Sequence, residues 1–207
     1  MPDSLHDDHV SPLVTSSEVV FAGAVWDIAR ETFTLDDAAI VREFVDHPGA
    51  VAVVALDERG RVLVIKQYRH PVRARDWELP AGLLDAHGES PLDAAKRELA
   101  EEVDLVAESW HILSEFTSSP GGSNEVIRIY LARGVSAAPE AFERTEEEAG
   151  IELRWVPLDD VVEAVLSRTV RNSILAIGTL SAAAGRARGW ATLASADAPW
   201  PSHPSAN

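Results

Sequence analysis

The sequence predicts an α+β fold: a mixed β-sheet with helices packed on it, preceded by a small N-terminal antiparallel β-domain. Three observations carry this. Strand-like apolar runs dominate the early part of the chain and recur after the first helical stretch. Helical spacing of apolar residues begins only at Pro91, and helices then sit between and after strands. The run GAVAVVAL (49–56) is almost wholly apolar, as a strand buried on both faces must be.

Taken in order, residues 1–15 are polar and read as a disordered lead. Residues 16–46 hold short alternating segments, SEVVFAGAVWDIARETFTL and AAIVREFV, expected to form the antiparallel β-domain. GAVAVVAL and RVLVIKQY (61–68) are joined by DERG, a hairpin signal. RHPVRARDWELPAG reads as a loop. Behind it Ser90 can cap a helix, Pro91 suits its first turn, and Asp93 completes a Ser-x-x-Asp box. Leu92, Ala95, Leu99 and Val103 recur on one face of that helix. Strands are expected at 110–116, 126–133 and 151–156, and helices at 158–168 and 173–186. Residues 47–190 form the main domain, and the Ala, Ser and Pro-rich segment 191–207 reads as a flexible tail.

Composition narrows the function. With 34 acidic against 18 basic residues, the net charge of −16 opposes binding to nucleic acid or to an anionic membrane. A small anionic substrate is admissible if metal ions screen it. The sequence has no cysteine, which removes disulfides, thiolate zinc sites and cysteine nucleophiles and suits a reducing compartment. It shows no signal-peptide pattern and no apolar run of the roughly 18 residues a membrane helix needs. A cytoplasmic protein is expected.

Within this acidic chain, Glu98, Glu101 and Glu102 crowd one patch of the first helix, about 120° from its apolar stripe. Like charges at this spacing each cost roughly 0.2–0.5 kcal/mol. A divalent cation would turn that cost into binding: Mg²⁺ takes oxygen ligands and shares them with substrate phosphates. A charge run on a helix is otherwise a solvated face, and the wider context decides between the two. Gly82 ends a Leu-Pro-Ala-Gly turn, Glu89 precedes Arg97 by eight residues, and Arg97-Glu98-Leu99-x-Glu101-Glu102 is followed by Leu105.

This pattern resembles the Nudix box, Gly-x5-Glu-x7-Arg-Glu-U-x-Glu-Glu-x-Gly-U with U a bulky aliphatic residue. Two departures are visible: six residues separate Gly82 from Glu89, and Asp104 stands in the second Gly position. The first lies in a loop, and Asp enters left-handed geometry more readily than most residues. The resemblance implies a Nudix-type α/β/α sandwich that hydrolyses a nucleoside diphosphate linked to another group. It implies Mg²⁺, or Mn²⁺, on Glu98, Glu101, Glu102 and the carbonyl of Ala81. Gly82, Glu89 and Arg97 would be structural, the last two tying loop to helix.

Three features resemble the ADP-ribose pyrophosphatase subfamily. Pro120, followed by Gly121, lies 15 residues beyond Leu105, though a plain Pro-Gly-Gly turn would explain both. IKQYRHPVRARDWELPAGLLD is very like that subfamily's approach to the box, which implies a phosphate contact by Arg69. The N-terminal strands match a β-domain used for homodimerisation, with Trp26 and Arg42 at adenine and phosphate or base-edge contacts; Trp26 could equally be a core aromatic. The implied reaction converts ADP-ribose to AMP and ribose 5-phosphate. Its general base would be a loop glutamate among Glu146, Glu147 and Glu148, with Glu148 favoured by alignment and Glu101 the fallback; Glu102 belongs to the same catalytic set. A GDP-mannose or other nucleotide-sugar pyrophosphatase fits the same box. A non-catalytic ADP-ribose sensor fits less well, since only two helices follow residue 157 and every box carboxylate is present. A nucleotide-pool enzyme acting on oxidised triphosphates is disfavoured by the N-terminal strands.

Overall fold

The computed structural model describes residues 5–140, 142 and 150–203. Two compact units divide the chain. One takes in Met1–Pro48, Thr117–Glu125 and Trp200–Asn207; the other takes in Gly49–Phe116 and Val126–Pro199.

The first unit is built on a three-stranded antiparallel sheet in the order β1 (Leu13–Ala22), β2 (Asp27–Leu35), β3 (Ala38–Asp46). The β2–β3 hairpin turns on Asp36 and Asp37, both at positive φ, as a two-residue turn of matching twist requires. β1 is exposed along its whole length, including Val14, Val19 and Phe21.

The second unit holds an eight-stranded mixed sheet, with β10 (Glu152–Pro157), β5 (Arg61–Arg69), β4 (Ala50–Leu56), β9 (Val126–Ala137), β8 (Leu105–Thr117) and β11 (Ala194–Ser195) in that order. β4 and β9 run parallel. Two strands lie where the sequence reads as loop: β6 (Ala74–Glu78) folds back antiparallel on β5, and β7 (Ala81–Leu83) pairs with β4. The charged residues of ARDWE hid the strand period, and the turn at His70–Val72, ending on Arg73 at φ 51°, makes the reversal.

Alternation along β4 explains its apolar run. Ala50, Ala52, Val54 and Leu56 face one cluster with α2 (Leu158–Leu166) and α3 (Ser173–Ala187), through Leu158, Val161, Leu175 and Ala182. Val51, Val53 and Ala55 face the other, with Ala94, Ala95, Leu99 and Val103 of α1 (Pro91–Val103). The sheet is thus a filling between α1 and the α2–α3 pair, the α/β/α arrangement expected. Each buried Leu or Val adds about 1.5–3 kcal/mol of transfer free energy.

The segment expected to be a loose tail is tied down over residues 194–199. β11 pairs with β8, and the buried Arg128 guanidinium donates to the carbonyls of Ala198 (3.0 Å) and Pro199 (3.1 Å) while holding Glu115. No helix among the described residues is long and apolar enough to cross a membrane.

Candidate active site

α1 begins and ends on identifiable chemistry. Ser90 Oγ accepts the Asp93 N–H (3.1 Å), capping the first turn. Asp104 closes the helix at φ 53°, ψ 40°, with its N–H on the Ala100 carbonyl. The left-handed cap that the family pattern gives to Gly is therefore adopted by Asp. Its carboxylate is also used: Oδ1 accepts the Phe142 N–H at 3.0 Å, and its carbonyl accepts the Ala138 N–H.

α1 and β7 bring the box residues together. Glu102, in the patch about 120° from the apolar stripe, is nonetheless buried at 4% exposure, because β7 packs on α1 and the Ala81 N–H donates to its Oε2 at 2.9 Å. Glu98 lies directly over Gly82. A Cβ at position 82 would stand 2.0 Å from the Glu98 carboxylate carbon and one of its oxygens, so only glycine leaves room for that side chain. Glu101 is the most exposed of the three.

Arg97 gathers the charges. Its Nε and Nη2 donate to the two Glu89 oxygens (2.9 and 3.0 Å), and Nη1 donates to Glu98 (2.6 Å) and Glu101 (3.0 Å). The bidentate fork to Glu89 anchors the loop before α1. That hydrogen bond holds the Glu89 carboxyl below its usual range, and it raises the already high pKa of Arg97.

Arg69, at the end of β5, forks onto Glu78 of β6, with Nη2 at 2.8 Å and Nε at 3.0 and 3.2 Å from its oxygens. Glu78 is buried and also accepts from Gln67. Sequence reading missed Glu78; its only signal was an acidic residue between Trp77 and Leu79, in a segment read as loop.

Of the remaining expected residues, Trp26, Arg42, Pro120 and Gly121 belong to the first unit. Trp26 lies between β1 and β2, its ring stacked on His47 at 4.3 Å between centroids. Arg42, on β3, donates to the Val41 carbonyl. Pro120 and Gly121 form an exposed turn closed by Gly122 N–H to Ser119 carbonyl (2.9 Å), and nothing lies within 4 Å of where a Gly121 Cβ would be. Glu146, Glu147 and Glu148 lie outside the described residues.

Two cavities open in the second unit. One of about 420 Å³ is lined by residues including Asp57, Arg61 and Glu108; one of about 280 Å³ by residues including Trp77, Arg154 and Asp160. Neither of these two is lined by a box carboxylate; the site is marked instead by the convergence of charge on Arg97.

The fold and site define an α/β/α protein with a glutamate-rich helix laid against a glycine turn. A comparison with family models matches residues 46–175 to the NUDIX domain, and the chain belongs to that family. It is 43% identical over 169 residues to an ADP-ribose pyrophosphatase of Mycobacterium tuberculosis, covering 80% of each chain. It is 38% identical over 156 residues to an ADP-ribose pyrophosphatase of Bacillus subtilis, covering 75% of this chain and 83% of that one. A crystal structure of an ADP compounds hydrolase superposes with a TM-score of 0.68 at 18% identity, covering 89% of this chain and 99% of that chain.

Nudix hydrolases generally use divalent metal ions. Among the described residues no three acidic, histidine or cysteine side chains form a ready cation site. The donor set nonetheless fits one. Gly82 provides a cradle that any Cβ would fill, Glu102 is a buried carboxylate aimed by a backbone N–H, and all the donors are hard oxygens. Arg97 occupies the Glu98 and Glu101 oxygens, so a cation and this guanidinium compete for them.

Proposed function

We propose that this Nudix hydrolase cleaves the diphosphate of ADP-ribose, giving AMP and ribose 5-phosphate. The observation that carries the reaction class is the Glu98 carboxylate seated on Gly82 beside the buried, N–H-bonded Glu102. The substrate rests on the two relatives that bear the name ADP-ribose pyrophosphatase over three quarters or more of this chain.

Glu98, Glu101, Glu102 and the Ala81 carbonyl would hold Mg²⁺, with Mn²⁺ able to substitute. When bound, such an ion neutralises diphosphate charge and lowers the pKa of an attached water. The chain's own residues do the rest. The Ala81 N–H donates to Glu102 Oε2 and fixes the direction in which that carboxylate points. The Glu89–Arg97 fork fixes the loop that leads into α1. Arg69, held flat by Glu78, is assigned to the substrate's phosphate oxygens.

Hydrolysis adds water across one P–O bond of the diphosphate bridge: the water oxygen joins one phosphorus, the bridging oxygen leaves with the other, and a base takes the proton. Glu148 is assigned that proton, with Glu101 in reserve. Trp26 and Arg42 are assigned to the base and a nearby phosphate, and Pro120 and Gly121 to the substrate. The exposed apolar residues of β1 suit a homodimer, because a lone three-stranded sheet gains little by leaving them in water.

The test is product analysis. ADP-ribose incubated with the protein and Mg²⁺ should yield AMP and ribose 5-phosphate, and nothing when the metal is chelated. GDP-mannose consumed at a higher kcat/KM than ADP-ribose would overturn the substrate assignment.

A further inference from the structure

The Trp26–His47 stack has a structural logic of its own, contained within the first unit. The rings lie 4.3 Å apart between centroids at an interplanar angle of 18°. The indole is carried by a connection between strands, where no ladder fixes its plane. The imidazole, in contrast, is buried at 7% exposure and held from several sides. His47 Nε2 lies 3.3 Å from Glu125 Oε1, and its backbone N–H donates to Asn124 Oδ1 at 2.8 Å. Asn124 Nδ2 in turn donates to Asp46 at 2.7 Å. Glu125 is itself braced, by a hydrogen bond from Ser118 Oγ and by its own N–H on Ser123 Oγ. The turn that braces them is stitched to β3, with the Val45 N–H on the Gly122 carbonyl at 2.9 Å.

We infer that His47 is a positioning residue for the nucleobase end of the substrate: it fixes the plane of the Trp26 indole, and the 117–125 turn acts on the base through it. This rests on the reading above that Trp26 meets the adenine. An aromatic platform serves a planar ligand best when its plane is set before binding, because ordering it afterwards is subtracted from affinity. Neutral imidazole suits the task, being flat and half the size of indole, and it can be pinned at its edge by a carboxylate without unstacking. Burial lowers the His47 pKa, opposed by Glu125 and by Asp46. Among the described residues, these two carboxylates act on it from the 117–125 turn and from β3, and His203 bonds the neighbouring Pro48 carbonyl.

The experiment uses the full chain with saturating Mg²⁺ and ADP-ribose as substrate, comparing Trp26→Ala, His47→Ala, their double variant and His47→Phe. The expected result is a KM raised roughly 2- to 10-fold by either alanine, the range of one aromatic pair, with kcat within about twofold. The double variant should be no worse than Trp26→Ala, and His47→Phe should recover most of the loss. A second readout needs no substrate. The fluorescence of Trp26, taken as wild type minus Trp26→Phe, should fall between pH 8 and pH 5 as imidazolium forms under the indole, and His47→Phe should abolish the step. If Trp26→Ala raises KM but His47→Ala does not, the inference fails and the Trp26 assignment stands. If neither moves KM, the assignment of Trp26 to the base falls and takes the inference with it. A pH step that persists in His47→Phe overturns it as well.

Discussion

Gly82→Ala separates the architecture of the site from its chemistry. The new methyl group would begin 2.0 Å from the Glu98 carboxylate and 2.5 Å from its Cγ. Ordinary contact needs about 3.4 Å, so the carboxylate must retreat by roughly 1.4 Å. The atoms displaced are the far end of a flexible side chain, and the glycine does not sit at positive φ, so the backbone accepts alanine. An off-rotamer Glu98 costs about 0.5–1.5 kcal/mol. In a protein of this size, at about 2–4 °C per kcal/mol, that lowers Tm by about 1–6 °C. Activity should suffer far more, since a 1 Å misplacement in a site can cost about 10²-fold. Steady-state hydrolysis of ADP-ribose and differential scanning calorimetry on the same preparation measure both effects. Gly121→Ala is the control, with open space around its Cβ and no expected change in Tm. A Gly82→Ala protein within threefold of wild-type kcat/KM would refute the reasoning, because Glu98 would then not be needed where it lies.

Further expectations follow from the same geometry. Glu102→Gln keeps an oxygen for the Ala81 N–H, so Tm should hold within about 2 °C while kcat falls by roughly three orders of magnitude or more; Mn²⁺ binding by paramagnetic resonance should weaken in parallel. Arg97→Ala removes the cation from Glu89, Glu98 and Glu101, lowering metal-free stability by about 1–3 kcal/mol, and Mg²⁺ at a hundredfold over its Kd should restore about 2.7 kcal/mol. Calorimetry with and without the ion reads both. Acid should destabilise the protein in two windows. His47 has a folded pKa below its ordinary 6.5, so the unfolded chain takes up the proton first and stability falls as pH drops below about 6.5 towards the folded pKa. Glu89 has a folded pKa below 4.5, so its contribution is complete above that pH and disappears as pH falls through the depressed value. A urea midpoint measured against pH, repeated in His47→Phe, should lose only the upper window.

The parts of the fold legible in the sequence were those fixed by local rules. α1 declared both ends, through Ser90 at the cap and an Asp able to turn left-handed at 104, and its stripe of Leu92, Ala95, Leu99 and Val103 set the buried face. β4 announced two-sided burial by having no polar residue. What escaped depended on partners distant in the chain. β6 was hidden because its alternation is written in Arg, Asp and Glu, and only its pairing with β5 makes Glu78 the clamp on Arg69. Residues 194–199 looked loose because Ala, Ser and Pro carry no periodicity; their anchor is Arg128, some seventy residues earlier. The burial of Glu102 likewise needed β7, three residues too short to read as a strand.

Asp104 departs from the family pattern, and its surroundings give the departure a meaning. A glycine there would reach the same backbone angles with less strain. It would supply no carboxylate for the Phe142 N–H. The exchange therefore sets a relaxed corner against a moored one: this chain accepts some torsional discomfort where the helix stops and gains an anchor for the Phe142 backbone, thirty-eight residues further on.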